Sequence, residues 1–216
     1  MFTMPRGRPR EFDTDKALDA ALGVFWRKGY EGASLPNLTE AMGINRPSLY
    51  AAFGNKEGLF RAVVERYVAG PAACVRRALE QPTARAAAEA LLKASIDVVT
   101  DPRNPPGCLL VQGALACGEA ADSVRCELAA RRLASEIAIR ERFERARAEG
   151  DLPPDANPAD LARYISTVLR GLAVQATGGA TRSELLRVAR VALRAWPERQ
   201  APEVSDRPRR VSTAKG

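Results

Sequence analysis

Ser34-Leu35-Pro36-Asn37-Leu38-Thr39-Glu40-Ala41-Met42-Gly43-Ile44-Asn45-Arg46-Pro47-Ser48-Leu49-Tyr50-Ala51-Ala52-Phe53 is the stretch that decides the fold. Ser34 is a capping residue and opens a short helical run through Leu38 to Met42, after which Gly43 is free to take a positive φ. Asn45 caps the next run, with Pro47 in its first turn, where a missing amide proton costs nothing. Leu38, Met42, Ile44 and Leu49 can lock the two runs at a steep angle, which is helix-turn-helix spacing. The outer face of the second run carries Asn45, Arg46, Pro47, Ser48 and Tyr50. A face so rich in hydrogen-bonding groups can meet DNA.

Outward from this stretch, apolar residues recur at helical spacing almost throughout, and β-branched alternation bounded by turns is hard to find. The expectation is an all-α chain of about nine helices. A first helix is capped by Asp13, buries Leu18, Leu22 and Phe25, and stops at Gly29. A fourth runs from Lys56 to about Leu79 and buries Leu59, Val63 and Tyr67. Further helices span 84–100, 108–117 and 122–148, the first two separated by the proline-rich break 101–107. Asn157 with Pro158 opens the next, and Thr181 with Glu184 forms the capping box of the last, which ends at Trp196-Pro197. Residues 1–12 read as a flexible basic arm and 197–216 as a disordered tail.

Composition narrows the chemistry. The 216 residues are 46% apolar, carry a net charge of +7 and contain no His. Anionic partners are favoured, while His triads, His general bases and the commonest metal ligand are excluded. No nucleophile–base pair, phosphate-cradling loop or convincing metal set stands out, so neither an enzyme, a cofactor nor a metal is expected. No apolar run approaches the roughly 20 residues that span a bilayer. Without that or a signal peptide, a cytoplasmic protein with no membrane partner is the expectation.

Several of these residues together resemble the tetracycline-repressor (TetR) family of bacterial transcription regulators. That family's DNA-binding region ends in a Leu-Tyr-x-x-Phe pattern followed by a Lys that opens the fourth helix. Here stand Leu49-Tyr50-Ala51-Ala52-Phe53 and Lys56, preceded by Phe25 and Gly29-Tyr30 at the first helix and its exit. The likeness covers roughly residues 10 to 67. Thr39 and Met42 depart from it, each standing where Ala is frequent. The resemblance implies a helix-turn-helix domain over 13–55, an effector-binding and dimerisation domain over 56–196, and a homodimer on a palindromic double-stranded operator. Its expected function is a sequence-specific repressor released by a small molecule.

Roles follow from chemistry together with that likeness. Arg46 can bond two guanine acceptors in the major groove, or it can hold a phosphate. Ser48 can reach a base or a phosphate, or stay an exposed helical Ser. The resemblance places the Tyr50 hydroxyl on a phosphate, though its ring could tuck against Lys56 or the first helix. Lys56, at a helix N-terminus, suits a phosphate or remains a surface Lys. Ser34 and Asn45 serve as caps as well. Arg8 and Arg10, with Arg6, form an arm able to lie in a minor groove.

In the second half the resemblance implies that the last two helices pair with a second subunit. Leu161, Ile165, Val168, Gly171 and Leu172 would do so from one, and Leu185, Ala189, Leu193 and Trp196 from the other. The same stripes could complete the monomer's own core. Ser95, Cys108, Gln112, Phe143 and Tyr164 are the candidate lining of an effector pocket, and few aromatics beyond Pro71 point to a hydrophobic small molecule. Cys108, Cys117 and Cys126 are nine residues apart, about half a turn out of phase on one helix, and read as structural thiols. A thiol-based redox or metal sensor on the same scaffold, and a DNA-binding protein without regulation, are the alternatives.

Overall fold

The computed structural model describes residues 12–115 and 121–197; the basic arm with Arg8 and Arg10, the tail beyond 197, and Cys117 lie outside them. Among the described residues there are ten α-helices and no strand. They are α1 (Thr14–Gly32), α2 (Leu35–Met42), α3 (Arg46–Phe53), α4 (Lys56–Ala69), α5 (Ala73–Arg77), α6 (Ala84–Val99), α7 (Leu109–Leu115), α8 (Asp122–Ala148), α9 (Pro158–Thr177) and α10 (Arg182–Arg194). None of them is long and apolar enough to cross a membrane.

The local signals act as their chemistry dictates. Asp13, Ser34, Asn45 and Asn55 each accept a backbone N–H of the helix that follows, and Thr181 and Glu184 close a reciprocal capping box. Gly43 takes φ 64° at the end of α2, a left-handed value that a β-carbon would strain. Gly29 (φ 68°, ψ 179°) ends the regular run of α1, and a further turn continues to Gly32.

One expected element is divided. The helix drawn from Lys56 to Leu79 ends at Ala69, because Pro71 donates no backbone hydrogen and forces Gly70 out of helical geometry. The short α5 and a 3-10 turn at Ala78–Glu80 follow on a new axis. The buried Arg142 of α8 secures that detour, donating to the carbonyls of Leu79, Gln81 and Pro82 at 2.8 to 3.1 Å.

Two apolar cores result. The first gathers Leu22, Phe25 and Trp26 of α1, Leu38 and Leu49 of the two-helix head, Leu59, Phe60 and Val63 of α4, and Leu109, Val124 and Leu128 of α7 and α8. The second gathers α6, α8, α9 and α10 around Leu92, Ile96, Phe143, Ile165, Leu172 and Trp196. Trp26 Nε1 donates to the Gly107 carbonyl at 3.2 Å, tying α1 to the loop ahead of α7.

Phe143 is therefore a core residue, fully buried with its ring edge-on to Trp196 at 5.2 Å. Truncating Phe143→Ala is expected to lower stability by about 3–5 kcal/mol. Urea unfolding followed by circular dichroism checks the value, and a loss below about 1 kcal/mol would contradict this packing.

Candidate nucleic-acid interface and ligand cavity

The reading head is α2 and α3, held from beneath by Leu38 and Leu49, both fully buried. On α3, Arg46 and Pro47 are exposed, Ser48 is half-buried, and Tyr50 is 44% exposed. Arg46 has no ion-pair or hydrogen-bond partner among the described residues. The Asn45 side-chain oxygen accepts from Ser48 N at 2.8 Å, and the Ser34 hydroxyl accepts from Asn37 N at 3.3 Å. These two residues thus spend an oxygen on folding.

The Lys56 ammonium lies over the Tyr30 ring at 4.5 Å, at the start of α4. The structure thus brings Arg46, Ser48, Tyr50 and Lys56 to one end of the molecule. The two departures are absorbed quietly. The Thr39 hydroxyl donates to the Leu35 and Pro36 carbonyls, and Met42 is buried beneath the head.

Helix α4 joins the head to the rest. At its near end the Phe60 ring stands edge-on to Phe25 (5.0 Å) and Tyr30 (5.2 Å). Along its flank Arg66 pairs with Asp15 and Asp19 of α1, each at 2.7 Å. Arg61 pairs with Glu127 of α8 at 2.8 Å, and Glu65 accepts from Arg131 of the same helix. At its far end the buried Tyr67 hydroxyl donates to the Cys108 sulfur at 3.3 Å. Burial, with Cys108 beside it, pushes the Tyr67 pKa well above its ordinary value, so the phenol stays protonated.

Tyr67 and Cys108 are part of the wall of a cavity of about 240 Å³ between α4, α5, α6, α8 and α9. Of the residues expected in a pocket, Ser95 and Cys108 line it. Three expectations are corrected. Phe143 is sealed against Trp196; Gln112 turns away and donates to the Pro106 carbonyl at 3.4 Å; Tyr164 faces out of α9 and donates to the Ala192 carbonyl at 3.1 Å. Sequence reasoning missed Tyr67, Ser166, Arg132 and Arg170, which do line the wall.

The expected pairing stripe is corrected too. Ile165, Leu172, Leu185, Ala189, Leu193 and Trp196 are buried in the monomer's own core, with Leu161 and Val168 half-buried beside them. A different face of α9 and α10 is apolar and open: Tyr164 (37% exposed), Val174 (45%), Val188 (49%) and Val191 (62%). Gly171 lies on it, and a β-carbon placed there would meet nothing within 4 Å. Nothing within the subunit explains that glycine.

A helix-turn-helix with a polar outer face on its second helix defines a class of DNA-binding protein, and here the helix that follows it also lines a cavity. The profile described as "Bacterial regulatory proteins, tetR family" matches residues 17–63, and "Tetracyclin repressor-like, C-terminal domain" matches 85–193. Over 195 residues the chain is 35% identical to the HTH-type transcriptional repressor ComR of Escherichia coli K12, spanning 89% of this chain and 93% of that one. A cysteine mutant of the TetR family regulator CifR, solved with a 26-base-pair operator duplex, is 47% identical with a TM-score of 0.85. It covers 88% of this chain and all of its own. A TetR regulator from Rhodococcus sp. RHA1 is 40% identical over 85% of this chain and 98% of its own, with a TM-score of 0.59. The chain belongs to the TetR family of DNA-binding transcriptional regulators.

Caps and readers separate by stability. Asn45→Ala is expected to cost about 1 kcal/mol of folding stability, from loss of its bond to Ser48 N. Arg46→Ala, which removes no contact within the subunit, stays within about 0.5 kcal/mol. Denaturant midpoints measured side by side check both; equal losses would contradict the assignment.

Proposed function

We propose that the chain is a homodimeric cytoplasmic repressor that grips a palindromic operator with two copies of α3 and lets go when a small molecule fills the cavity. The single observation that carries this reading is the double placement of α4. Its first turns support α3, and its Tyr67 forms part of the cavity wall. A ligand that displaces Tyr67 or α8 bears on α4 through Arg61–Glu127 and Arg131–Glu65. On straight DNA two recognition helices must be separated by about 34 Å or a multiple, so a small tilt abolishes simultaneous contact.

In this reading Arg46 reads a base edge. Tyr50 and Lys56 hold phosphates with Ser34, Ser48 and the Asn45–Pro47 turn beside them, and Arg8 and Arg10 add minor-groove contacts. The dimer forms over Tyr164, Val168, Gly171, Val174, Val188 and Val191, where Gly171 lets a partner helix approach closely. ComR and BdcR of Escherichia coli, both named repressors, are 35% and 38% identical to this chain over 195 and 110 residues and support repression as the outcome.

A thiol sensor on the same scaffold is favoured by one observation, the place of Cys108 in the cavity wall. Replacing Cys74, Cys108, Cys117 and Cys126 by Ser distinguishes the two. Ligand release survives if the cavity senses shape and charge, and vanishes if a thiol is the sensor.

Selection of bound duplexes from a random pool tests the main reading. It should recover an inverted repeat, and Arg46→Ala should lose about 1–3 kcal/mol of discrimination at one position of each half-site. Recovery of unrelated duplexes would contradict it and favour a DNA-binding protein without regulation. Val188→Glu with Val191→Glu should yield folded single subunits in sedimentation, with operator affinity lowered at least tenfold. A double variant that still pairs would place the interface elsewhere.

A further inference from the structure

The cavity wall is lopsided in charge. Arg76 of α5, Arg132 of α8 and Arg170 of α9 all line it, and no Asp or Glu does among the described residues. Arg132 pairs with no carboxylate there; its Nη1 donates to the Leu110 carbonyl at 2.6 Å. Arg170 donates to Glu136 at 3.1 Å, but that carboxylate is shared with Arg163, also at 3.1 Å. Arg163 and Arg170 thus share the Glu136 carboxylate, and Arg132 has no carboxylate partner among the described residues.

Burial, and next the neighbouring Arg170 charge, pull the Arg132 pKa below its ordinary value, a sign that the two cations feel one another. Ser166 adds a second, independent observation. It is 4% exposed, lines the same cavity, and its hydroxyl has no hydrogen-bond partner among the described residues. A hydroxyl that borders the cavity and makes no bond within the subunit is free to donate to a ligand there. Leu91, Val98, Val99, Ile139, Leu169 and Ala173 give the same cavity an aliphatic lining.

We propose that the cavity takes an organic anion, its carboxylate or sulfonate head between Arg132 and Arg170 beside the Ser166 hydroxyl, and its apolar body against the aliphatic wall. This rests on the reading of the cavity as the effector site and refines the expectation of a purely hydrophobic ligand. A guanidinium presents two parallel donors that match a carboxylate or sulfonate edge, and in a partly buried site such bonds are about twice as strong as neutral ones. The anion would supply the charge that Arg132 lacks and the acceptor that Ser166 lacks. An uncharged body of the same shape would supply neither, and a cation would be repelled.

The test uses the full chain and matched probes that share one body: octanoate, octanesulfonate, 1-octanol and octylamine, with 4-phenylbutyrate and 4-phenylbutanol as a second body. Affinity is read by calorimetry and by the shift in melting temperature. The anions should bind about tenfold or more tightly than the alcohols, and octylamine should not bind. Arg132→Gln should abolish the preference for the anion while Arg132→Lys keeps most of it. Arg170→Gln serves as a second loss of charge, and each variant is melted without ligand to confirm folding. Alcohols that match the acids, or a wild-type chain that binds none of the acids, would overturn the inference. Acids that bind as expected yet leave the selected operator occupied would support the anion site and sink the effector reading instead. No recovered operator would sink the regulatory reading alone.

Discussion

A single helix belongs to two environments, and the rest of the molecule answers to it. The 14 residues of α4, about 21 Å of rigid rod, begin under the reading head and end at the cavity. Phe60 is wedged edge-on between Phe25 and Tyr30, so α1 to α3 cannot shift without moving α4. The exposed ion pairs Arg66–Asp19 and Arg61–Glu127 add little stability each. Their value is directional, since they fix α4 against α1 on one side and α8 on the other.

The same arrangement explains why Gly70-Pro71 matters. The apolar spacing alone would carry α4 on to Leu79. The break sends α5 aside, and Ala72, Val75, Arg76 and Leu79 become wall instead of helix stem. Arg142 then holds the detour by filling three carbonyls that no helix can satisfy.

What was legible in the residues alone was what local chemistry decides. Caps at Asp13, Ser34, Asn45 and Thr181 and the turns at Gly29 and Gly43 act over three or four residues, so the head could be drawn from them. The pairing face could not. On α10 both Leu185–Ala189–Leu193 and Val188–Val191 are apolar stripes, and only the packing of α6 decides which one is inside. The cavity was hidden for a related reason. Arg132 and Arg170 stand 38 residues apart on two different helices, and only tertiary structure brings them to one space. Phe143, large and aromatic, was drawn to the pocket by scarcity of alternatives, while the space beside Trp196 claimed it.

If α4 links cavity and head, the separation between the two α3 helices of a dimer must respond to what fills the cavity. Spin labels at position 51, on the exposed side of α3, in a chain whose native cysteines are exchanged for Ser, report that distance by pulsed dipolar spectroscopy. One narrow distribution is expected on the operator duplex, consistent with adjacent major-groove faces about 34 Å apart, and a displaced or broadened one once a releasing ligand fills the cavity. A distribution that the ligand leaves unchanged while the duplex is lost would contradict a mechanical link through α4.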